Sequence, residues 1–239
     1  MSDTPLPIDA IRGEFTAALE AGPVVVESPT GSGKSTRLPG WCSGQGPVLV
    51  VEPRRLACRA LAHFLAGGEP GGEVGYAIRF EQRLGADTRV VFATPGVALR
   101  WLAEGRLERY PVVMLDEFHE RRWDTDLLLA LLLRGARHRL VVCSATLDGR
   151  RLAGFLGASR LRAEGRTFPV TVHQPEGADP PTARDLERRV ADGVTRALAL
   201  EETGDVLVFL PGRGEIQRCQ EQLRGRVDAP VLPLHAGTD

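Results

Sequence analysis

The sequence has almost no lysine. Its 239 residues include 30 basic side chains, of which 29 are arginines and only Lys34 is a lysine. A compact ammonium group fits between phosphate groups in a way that the planar guanidinium fork of arginine does not. Since the chain uses arginine at every other basic position, we infer that position 34 makes a chemical demand that lysine alone meets.

Long apolar runs and signs of export are also lacking. No apolar run approaches the roughly 18 residues of a membrane span, and residues 1–11 contain neither the basic nor the apolar region of a secretory signal. We therefore expect a cytoplasmic protein that does not bind membranes. The 43% of hydrophobic residues are typical of a globular protein, and the length allows one large or two ordinary domains.

Pairs of cysteine or histidine with metal-ligand spacing are absent. The four cysteines lie far apart and without CxxC spacing, which predicts buried free thiols at Cys42, Cys58, Cys143 and Cys219. The formal net charge of −1 gives no general attraction to nucleic acid. Any binding of nucleic acid must then come from a local concentration of arginines.

The sequence does contain a glycine-rich stretch around its one lysine. Val24–Val26 predict a buried strand before this stretch and a helix can start after Lys34, which is the context of a phosphate-binding loop. Ser28 stands where the general pattern begins with glycine, and a simple Gly/Ser-rich turn is the alternative interpretation. The candidate ATP-binding residues are Pro29, Thr30, Gly31, Ser32, Gly33, Lys34, Ser35 and Thr36.

Several residues of this loop suit a triphosphate with a magnesium ion. Gly31 and Gly33 let the backbone approach the phosphates and take positive φ. Lys34 can reach the β and γ phosphates, and the Ser35 hydroxyl can bind Mg²⁺. ATP and Mg²⁺ are therefore the expected ligands.

Further along, short apolar runs alternate with stretches of helical periodicity. Continuous apolar runs are typical of strands buried on both faces, so the alternation predicts an α/β fold with a doubly wound parallel sheet. After Val24–Val26, the predicted strands are Val48–Val51, Val90–Ala93, Val112–Leu115 and Leu140–Cys143. Helices are predicted around Ile8–Leu19, after Lys34, and around Leu56–Leu65, Val97–Leu102 and Leu127–Leu133.

The rhythm changes near Leu161 and then restarts. A Pro/Gly/Asp-rich stretch through Pro181 is typical of a domain junction. We predict a first domain over residues 1–163, a junction over 164–183 and a second domain over 184–239. This part has predicted strands at Phe168–His173, at Val206–Leu210 and near Val231, and predicted helices at 184–201 and 215–223.

Two carboxylates follow the predicted strand Val112–Leu115. Asp116 and Glu117 would lie at its carboxyl end, where open α/β sheets collect ligands. Asp116 can hold Mg²⁺ opposite Ser35, and Glu117 can orient or deprotonate an attacking water. An acidic helix start that only balances a helix dipole is the alternative.

The motifs together resemble the DEAH-box branch of superfamily 2 helicases. Residues 116–121, Asp-Glu-Phe-His-Glu-Arg, are similar to the carboxylate motif of that family. Phe118 replaces the usual alanine, a variant that resembles the bacterial HrpB type. In Thr94–Gly96, Pro95 stands where the family usually has glutamate. Further segments that resemble family motifs are Glu52–Ala57, Val74–Glu81, Ser144–Thr146 and Val208–Gly212.

The resemblance implies a RecA-like P-loop NTPase domain followed by an incomplete second RecA-like domain. It adds coupling and nucleic-acid roles to the residues already selected. The candidate catalytic residues are Glu117 and Lys34, the metal-binding residues are Ser35 and Asp116, the coupling residues are His119, Ser144 and Thr146, and the nucleic-acid contacts are Pro53, Arg54, Arg55, Arg79, Thr94, Gly96 and Gly212.

The sequence thus predicts an ATP-dependent helicase that couples ATP hydrolysis to movement on single-stranded nucleic acid, expected to be RNA, through backbone contacts. A P-loop ATPase without unwinding activity and a nucleotide-regulated nucleic-acid-binding module remain as alternatives. The resemblance implies later second-domain motifs that no stretch before Asp239 matches. We therefore expect this chain alone to bind ATP, with little RNA-stimulated hydrolysis and no unwinding.

Overall fold

The computed structural model describes residues 5–145, 149–165, 169–173, 182, 184–200 and 204–235. The chain divides into two compact units, residues 1–169 and residues 170–239. Each unit has a hydrophobic core of its own. The domain limits expected at residues 163 and 184 remain predictions. Within the described residues, no helix is long and apolar enough to cross a lipid bilayer.

An eight-stranded sheet forms the centre of the first unit. The strand order is β4-β3-β5-β2-β6-β7-β1-β8, and only the pair β3 and β4 is antiparallel. The strands are β1 (Val24–Glu27), β2 (Val48–Val51), β3 (Val74–Ile78), β4 (Glu81–Arg83), β5 (Val90–Ala93), β6 (Val112–Leu115), β7 (Arg139–Ser144) and β8 (Ser159–Arg162).

Helices supply the apolar partners for both faces of this sheet. Within β1, Val24 and Val26 belong to one apolar cluster and Val25 belongs to the other. Burial on both faces explains why the central strands read as continuous apolar runs. The helices of the first unit are α1 (Arg12–Ala21), α2 (Lys34–Cys42), α3 (Arg55–Ala66), α4 (Pro95–Ala103), α5 (Trp123–Gly135) and α6 (Gly149–Leu156).

The predicted N-terminal helix is confirmed, with a different first turn. Residues Pro7–Ile11 form a 3-10 helix that leads into α1, and α1 ends where the Gly22 N–H donates to the Ala18 carbonyl at 3.0 Å. Four side chains at helical spacing are buried against the sheet: Ile8, Ile11, Phe15 and Leu19.

The α/β fold class is confirmed, as are all five strands predicted in the first unit. The strands β3, β4 and β8 were not predicted from the sequence. Two of these are edge strands with polar sequences, Glu-Gln-Arg in β4 and Ser-Arg-Leu-Arg in β8. In β3, Gly75 interrupts the apolar run because a Cβ there would lie 2.3 Å from the Arg83 carbonyl oxygen. The hairpin brings the two backbones too close for any side chain at position 75.

The described part of the second unit contains two helices, α7 (Leu186–Leu200) and α8 (Arg213–Leu223). They pack through Ala191, Val194 and Leu223. Both helices predicted in this region are confirmed.

The strands predicted in this region are wrong wherever the structure describes them. Residues 169–173, 206–210 and Val231 have no strand conformation, and Phe168 lies outside the described residues. Three apolar side chains of the predicted strand Val206–Leu210 are also largely uncovered: Val206, Val208 and Phe209 are 41%, 37% and 88% exposed. An extended segment becomes a strand only when a neighbour pairs with its N–H and C=O groups. The described residues of this unit offer no such neighbour.

Candidate active site

The turn over residues 28–33 connects β1 to α2 and surrounds the one lysine. Gly31 and Gly33 have φ values of 75° and 98°, in the left-handed region that glycine adopts without strain. A Cβ at Gly33 would also lie 2.6 Å from Leu6 Cδ1. Gly33 is the N-cap of α2 and has no side chain that could cap the helix. The first N–H groups of the helix can therefore bind an anion.

Lys34 is buried with its ammonium group inside this turn. Its Nζ donates hydrogen bonds to the carbonyl oxygens of Ser28 and Pro29, at 2.5 and 2.9 Å. These carbonyl groups position the cation next to the helix start rather than in bulk solvent. The turn therefore presents a fixed positive charge together with glycine N–H groups, as a phosphate-binding site requires.

Three polar atoms around the turn are buried and have no hydrogen-bond partner within the described residues. They are Ser28 Oγ, Ser32 Oγ and Asp116 Oδ2. A buried polar atom that stays unpaired costs about 1–3 kcal/mol, so such atoms at one site indicate a ligand. Two hydroxyl groups and a carboxylate oxygen suit phosphate oxygens and a hard cation. The residues present therefore fit a nucleotide with Mg²⁺.

Asp116 lies at the carboxyl end of β6 and is fully buried. Its N–H donates to the Val51 carbonyl at 2.9 Å, and its Oδ1 accepts the Glu117 N–H at 2.9 Å. Burial raises the pKa of the Asp116 carboxyl, while the neighbouring Ser35 hydroxyl and the charge of Lys34 act to lower it. A divalent cation at Oδ2 would favour the ionised carboxylate.

Glu117 has an unusual backbone for a residue other than glycine, with φ 47° and ψ 37°. The left-handed region costs such a residue on the order of 1–3 kcal/mol and is found at functional sites. Glu117 Oε2 lies 3.2 Å from His119 Nδ1, and the same ring nitrogen lies 3.4 Å from the Ala145 backbone nitrogen. His119 thus lies between Glu117 and the end of β7.

Ser144 connects β7 to the phosphate-binding turn. Its carbonyl oxygen accepts the N–H of Ser28 at 3.1 Å, and the residue is buried. The predicted coupling residues His119 and Ser144 are therefore close to the nucleotide-binding residues. Thr146 lies outside the described residues.

Exposed arginines and two helix starts occupy the neighbouring part of the same sheet edge. Arg54 is the N-cap of α3, and Arg55 follows it. The Arg55 Nη2 donates to the Arg79 carbonyl at 3.3 Å, which joins α3 to the β3–β4 turn. Thr94 is the N-cap of α4 and makes no side-chain capping bond, while Gly96 is exposed. Because β2 and β5 are adjacent, the two helix starts lie side by side.

Comparison with known proteins identifies the family. Residues 12–154 match the sequence profile of the DEAD/DEAH box helicases. The chain belongs to this helicase family. The ATP-dependent RNA helicase HrpB of Escherichia coli (strain K12) is 40% identical over 96% of the chain, and the probable ATP-dependent RNA helicase DHX34 of Homo sapiens is 37% identical over 89%.

A solved structure supports the same assignment. The crystal structure of the Escherichia coli DEAH/RHA helicase HrpB matches 94% of the chain with a TM-score of 0.81 and 40% identity. The chain spans 30% of the length of HrpB and 21% of the length of DHX34. The RecA-like fold expected from the resemblance is confirmed, and the family uses nucleotides.

One buried carboxyl group at the site of this helicase-family chain, that of Glu52, was not predicted from the sequence. Glu52 follows β2 next to Asp116, and its Oε1 accepts the Arg54 N–H at 3.2 Å. Burial first, and then the charge of Asp116, raise the pKa of Glu52 to about 8. The available signal was its position directly after a buried strand, the same position that drew attention to Asp116.

The helicase motifs also contain an ion pair that their sequence does not reveal. Arg54 Nη2 donates to Glu120 Oε1 at 2.6 Å, so a predicted nucleic-acid contact is joined to the carboxylate motif. Two other residues predicted to contact nucleic acid lie in different surroundings. Pro53 is buried, so its side chain shapes the turn before α3, and Gly212 is the N-cap of α8 in the second unit.

Proposed function

We propose that this chain binds ATP with Mg²⁺ and single-stranded RNA, and that it contributes these sites to a helicase that couples ATP hydrolysis to movement on the strand. The observation that carries the proposal is the grouping at one sheet edge. The phosphate-binding turn with its unpaired buried oxygens follows β1, the carboxylates follow β6, and the exposed arginines and helix starts follow β2 and β5. Such crevices at the carboxyl ends of parallel strands bind ligands in open α/β folds.

The nucleotide-binding residues have separate tasks in this proposal. Lys34 and the N–H groups after Gly31 and Gly33 hold the phosphates, and Ser35 with Asp116 would hold the metal ion. Mg²⁺ bound there would neutralise charge that develops on the phosphates. The buried position of Asp116 and its contact with Ser35 support this assignment.

Glu117 is the proposed general base. Its backbone conformation directs the residue away from the regular path of β6, and Asp116 Oδ1 fixes its N–H. From there a carboxylate can orient an attacking water and accept its proton. His119 would transmit a change in the position of Glu117 to the end of β7, because its Nδ1 lies 3.2 Å from Glu117 Oε2 and 3.4 Å from the Ala145 backbone nitrogen.

The strand-binding part of the proposal uses backbone contacts. Arg54, Arg55 and Arg79 supply guanidinium groups, and the starts of α3 and α4 supply N–H groups beside Thr94 and Gly96. Groups of this kind bind phosphates without selecting bases, as movement along any sequence requires. Strand separation is proposed from family membership alone. The relatives are several times longer than this chain, so the unwinding activity of the whole proteins is not attributed to the described residues.

The test measures three quantities on the same chain: the affinity for ATP·Mg²⁺, the affinity for a labelled single-stranded oligouridine, and phosphate release. We expect both ligands to bind and each to change the Kd of the other by the same factor, as linkage requires. ATP binding and turnover without strand binding would favour a P-loop ATPase without unwinding. Strand binding that responds to ATP, with no phosphate release from this chain or from a longer form of the protein, would favour a nucleotide-regulated nucleic-acid-binding module.

The proposed compartment is the cytoplasm. All four cysteines are free and buried, which suits a reducing compartment in which disulfides do not persist.

A further inference from the structure

Arg54 has a charged partner inside the protein although most of its side chain faces solvent. The side chain is 72% exposed, and its Nη2 lies 2.6 Å from Glu120 Oε1. Glu120 is more enclosed, at 21% exposure. The two residues are 66 positions apart in sequence. The fold therefore places an acidic group directly on one of the guanidinium groups proposed to bind phosphate.

Both partners are tied to functional segments through their backbones. The Arg54 N–H donates to Glu52 Oε1 at 3.2 Å, which holds the start of α3. The Glu120 N–H donates to the Glu117 carbonyl at 3.0 Å, within the 3-10 turn Phe118–Glu120. The backbone on each side is fixed, whereas the long arginine side chain is free to turn toward solvent.

We propose that Glu120 and a phosphate of the nucleic-acid backbone are alternative partners of Arg54, so that Glu120 lowers the affinity for single strands and strand binding breaks the Arg54–Glu120 ion pair. This inference rests on the proposed function. It identifies Glu120 as a residue that sets the affinity of the strand-binding surface, a role that the family motif alone does not suggest for it.

The competition follows from the chemistry of the three groups. Carboxylate and phosphate oxygens are both preferred acceptors for the guanidinium fork. When a phosphate approaches Arg54, the Glu120 carboxylate either gives up its hydrogen bond or remains as a second anion beside the phosphate. Both outcomes weaken binding, by loss of an ion pair or by like-charge repulsion. By contrast, the contact made by Arg55 Nη2 is to a neutral backbone carbonyl.

The size of the effect is that of an exposed ion pair. Such pairs contribute a modest stabilisation that corresponds to a factor of about 1.5 to 5 in an equilibrium constant. Replacement of Glu120 by glutamine keeps the shape of the side chain and removes its charge. Glu120→Gln should therefore tighten strand binding by about 1.5- to 5-fold at low ionic strength, and the gain should shrink as salt screens the charges.

The experiment measures the Kd of a labelled single-stranded oligouridine for the parent chain and four variants. Glu120→Gln is the test, and Glu108→Gln is the matched control. Glu108 forms an exposed ion pair with Arg137. It lies before β6, at the amino end of the strand, whereas Glu120 follows the carboxyl end of β6. The control changes net charge by the same amount, so it corrects for general attraction to the strand. The other two variants are Arg54→Ala alone and Arg54→Ala combined with Glu120→Gln, and their comparison shows whether the effect of Glu120→Gln depends on Arg54.

The expected result is tighter binding by Glu120→Gln than by Glu108→Gln, and no gain from Glu120→Gln when Arg54 is alanine. Weaker binding by Glu120→Gln would overturn the inference, because Glu120 would then hold Arg54 in its binding position. Equal affinities of the Glu120→Gln and Glu108→Gln chains, whether or not they exceed that of the parent, would overturn it as well. If no variant binds the oligouridine while ATP still binds, the strand-binding part of the proposed function fails and the inference fails with it. Circular dichroism confirms that each variant is folded.

Discussion

The Glu27 carboxylate at the end of β1 accepts two hydrogen bonds from the Arg160 guanidinium in β8, at 3.0 and 2.6 Å. Its other oxygen lies so close to the first residue of α6 that a Cβ on Gly149 would be 1.8 Å away. One acidic side chain thus joins three elements directly below the phosphate-binding turn: β1, β8 and α6.

Gly149→Ala should therefore destabilise the first unit. The added methyl group must displace the buried Glu27 carboxylate, and overpacking of this kind costs about 1–3 kcal/mol. The control is Gly154→Ala in the same helix, where no atom lies within 4 Å of the added Cβ. That change should stabilise by about 0.5–1 kcal/mol, because alanine favours the helix over glycine. Urea denaturation measures the change in the free energy of unfolding for both variants. Equal changes would contradict the close contact at Gly149.

Glu52 should make the stability of the first unit depend on pH. Its pKa is raised from 4.5 to about 8 in the folded chain, so the folded state binds the proton more tightly than the unfolded state. The resulting stabilisation is complete below about pH 4.5 and is lost as the pH rises toward 8. Glu52→Gln keeps a neutral group at all pH values. The free energy of unfolding of the variant minus that of the parent chain should therefore be larger at pH 8 than at pH 5.5.

The measurement for Glu52 is the free energy of unfolding of both chains at several pH values. The difference between them should change across this window by on the order of a few kcal/mol. A difference that does not vary with pH would mean that Glu52 is ionised at neutral pH in the folded chain.

The central strands and the phosphate-binding turn could be predicted because their signals are local. Runs such as Val112–Leu115 are apolar because both faces are buried, and Gly31 and Gly33 report a backbone requirement within one turn. The prediction of a strand at Val206–Leu210 was wrong because strand pairing depends on a neighbouring segment. An apolar run does not specify that neighbour. The same limit applies to β4 and β8, whose polar sequences become strands through their partners.

At the candidate site, residue types were predictable but their pairings were not. Asp116 and Glu117 follow an apolar run, so their position could be read from the sequence. The contact between Arg54 and Glu120 joins segments 66 residues apart, and it exists only because β2 and β6 are neighbours in the sheet. Glu52 acquired its raised pKa in the same way, from burial beside a strand end that is distant in sequence.

Arg54→Ala combined with Arg55→Ala should weaken single-strand binding about equally for all base sequences. Each lost phosphate contact should reduce the slope of log K against log salt by about 0.7, since fewer counterions are released. Fluorescence anisotropy with oligouridine and a mixed-sequence strand at several salt concentrations measures both effects. A loss confined to one sequence, or an unchanged slope, would count against phosphate binding by these arginines.

In a form of the protein that hydrolyses ATP at a measurable rate, Glu117→Gln should leave ATP binding largely intact and slow hydrolysis by about 10²- to 10⁴-fold, the usual contribution of a general base. The amide keeps the size and hydrogen bonding of the side chain but cannot accept a proton from water. Phosphate release at saturating ATP, with the Kd for ATP measured in parallel, separates the two effects. Hydrolysis at the parent rate would show that Glu117 is not the base.

The most direct test of the account is the affinity of Lys34→Ala for ATP·Mg²⁺, measured by titration calorimetry. Lys34 is the only lysine of the chain, and its ammonium group lies inside the phosphate-binding turn. Loss of a charged hydrogen-bond donor to the phosphates should weaken binding about 10- to 100-fold, with thermal unfolding used to confirm that the variant is folded. Lys34→Arg should also bind weakly, because a guanidinium fork does not fit the enclosed position. Unchanged affinity for ATP·Mg²⁺ in a folded Lys34→Ala chain would contradict the assignment of this turn as the nucleotide site.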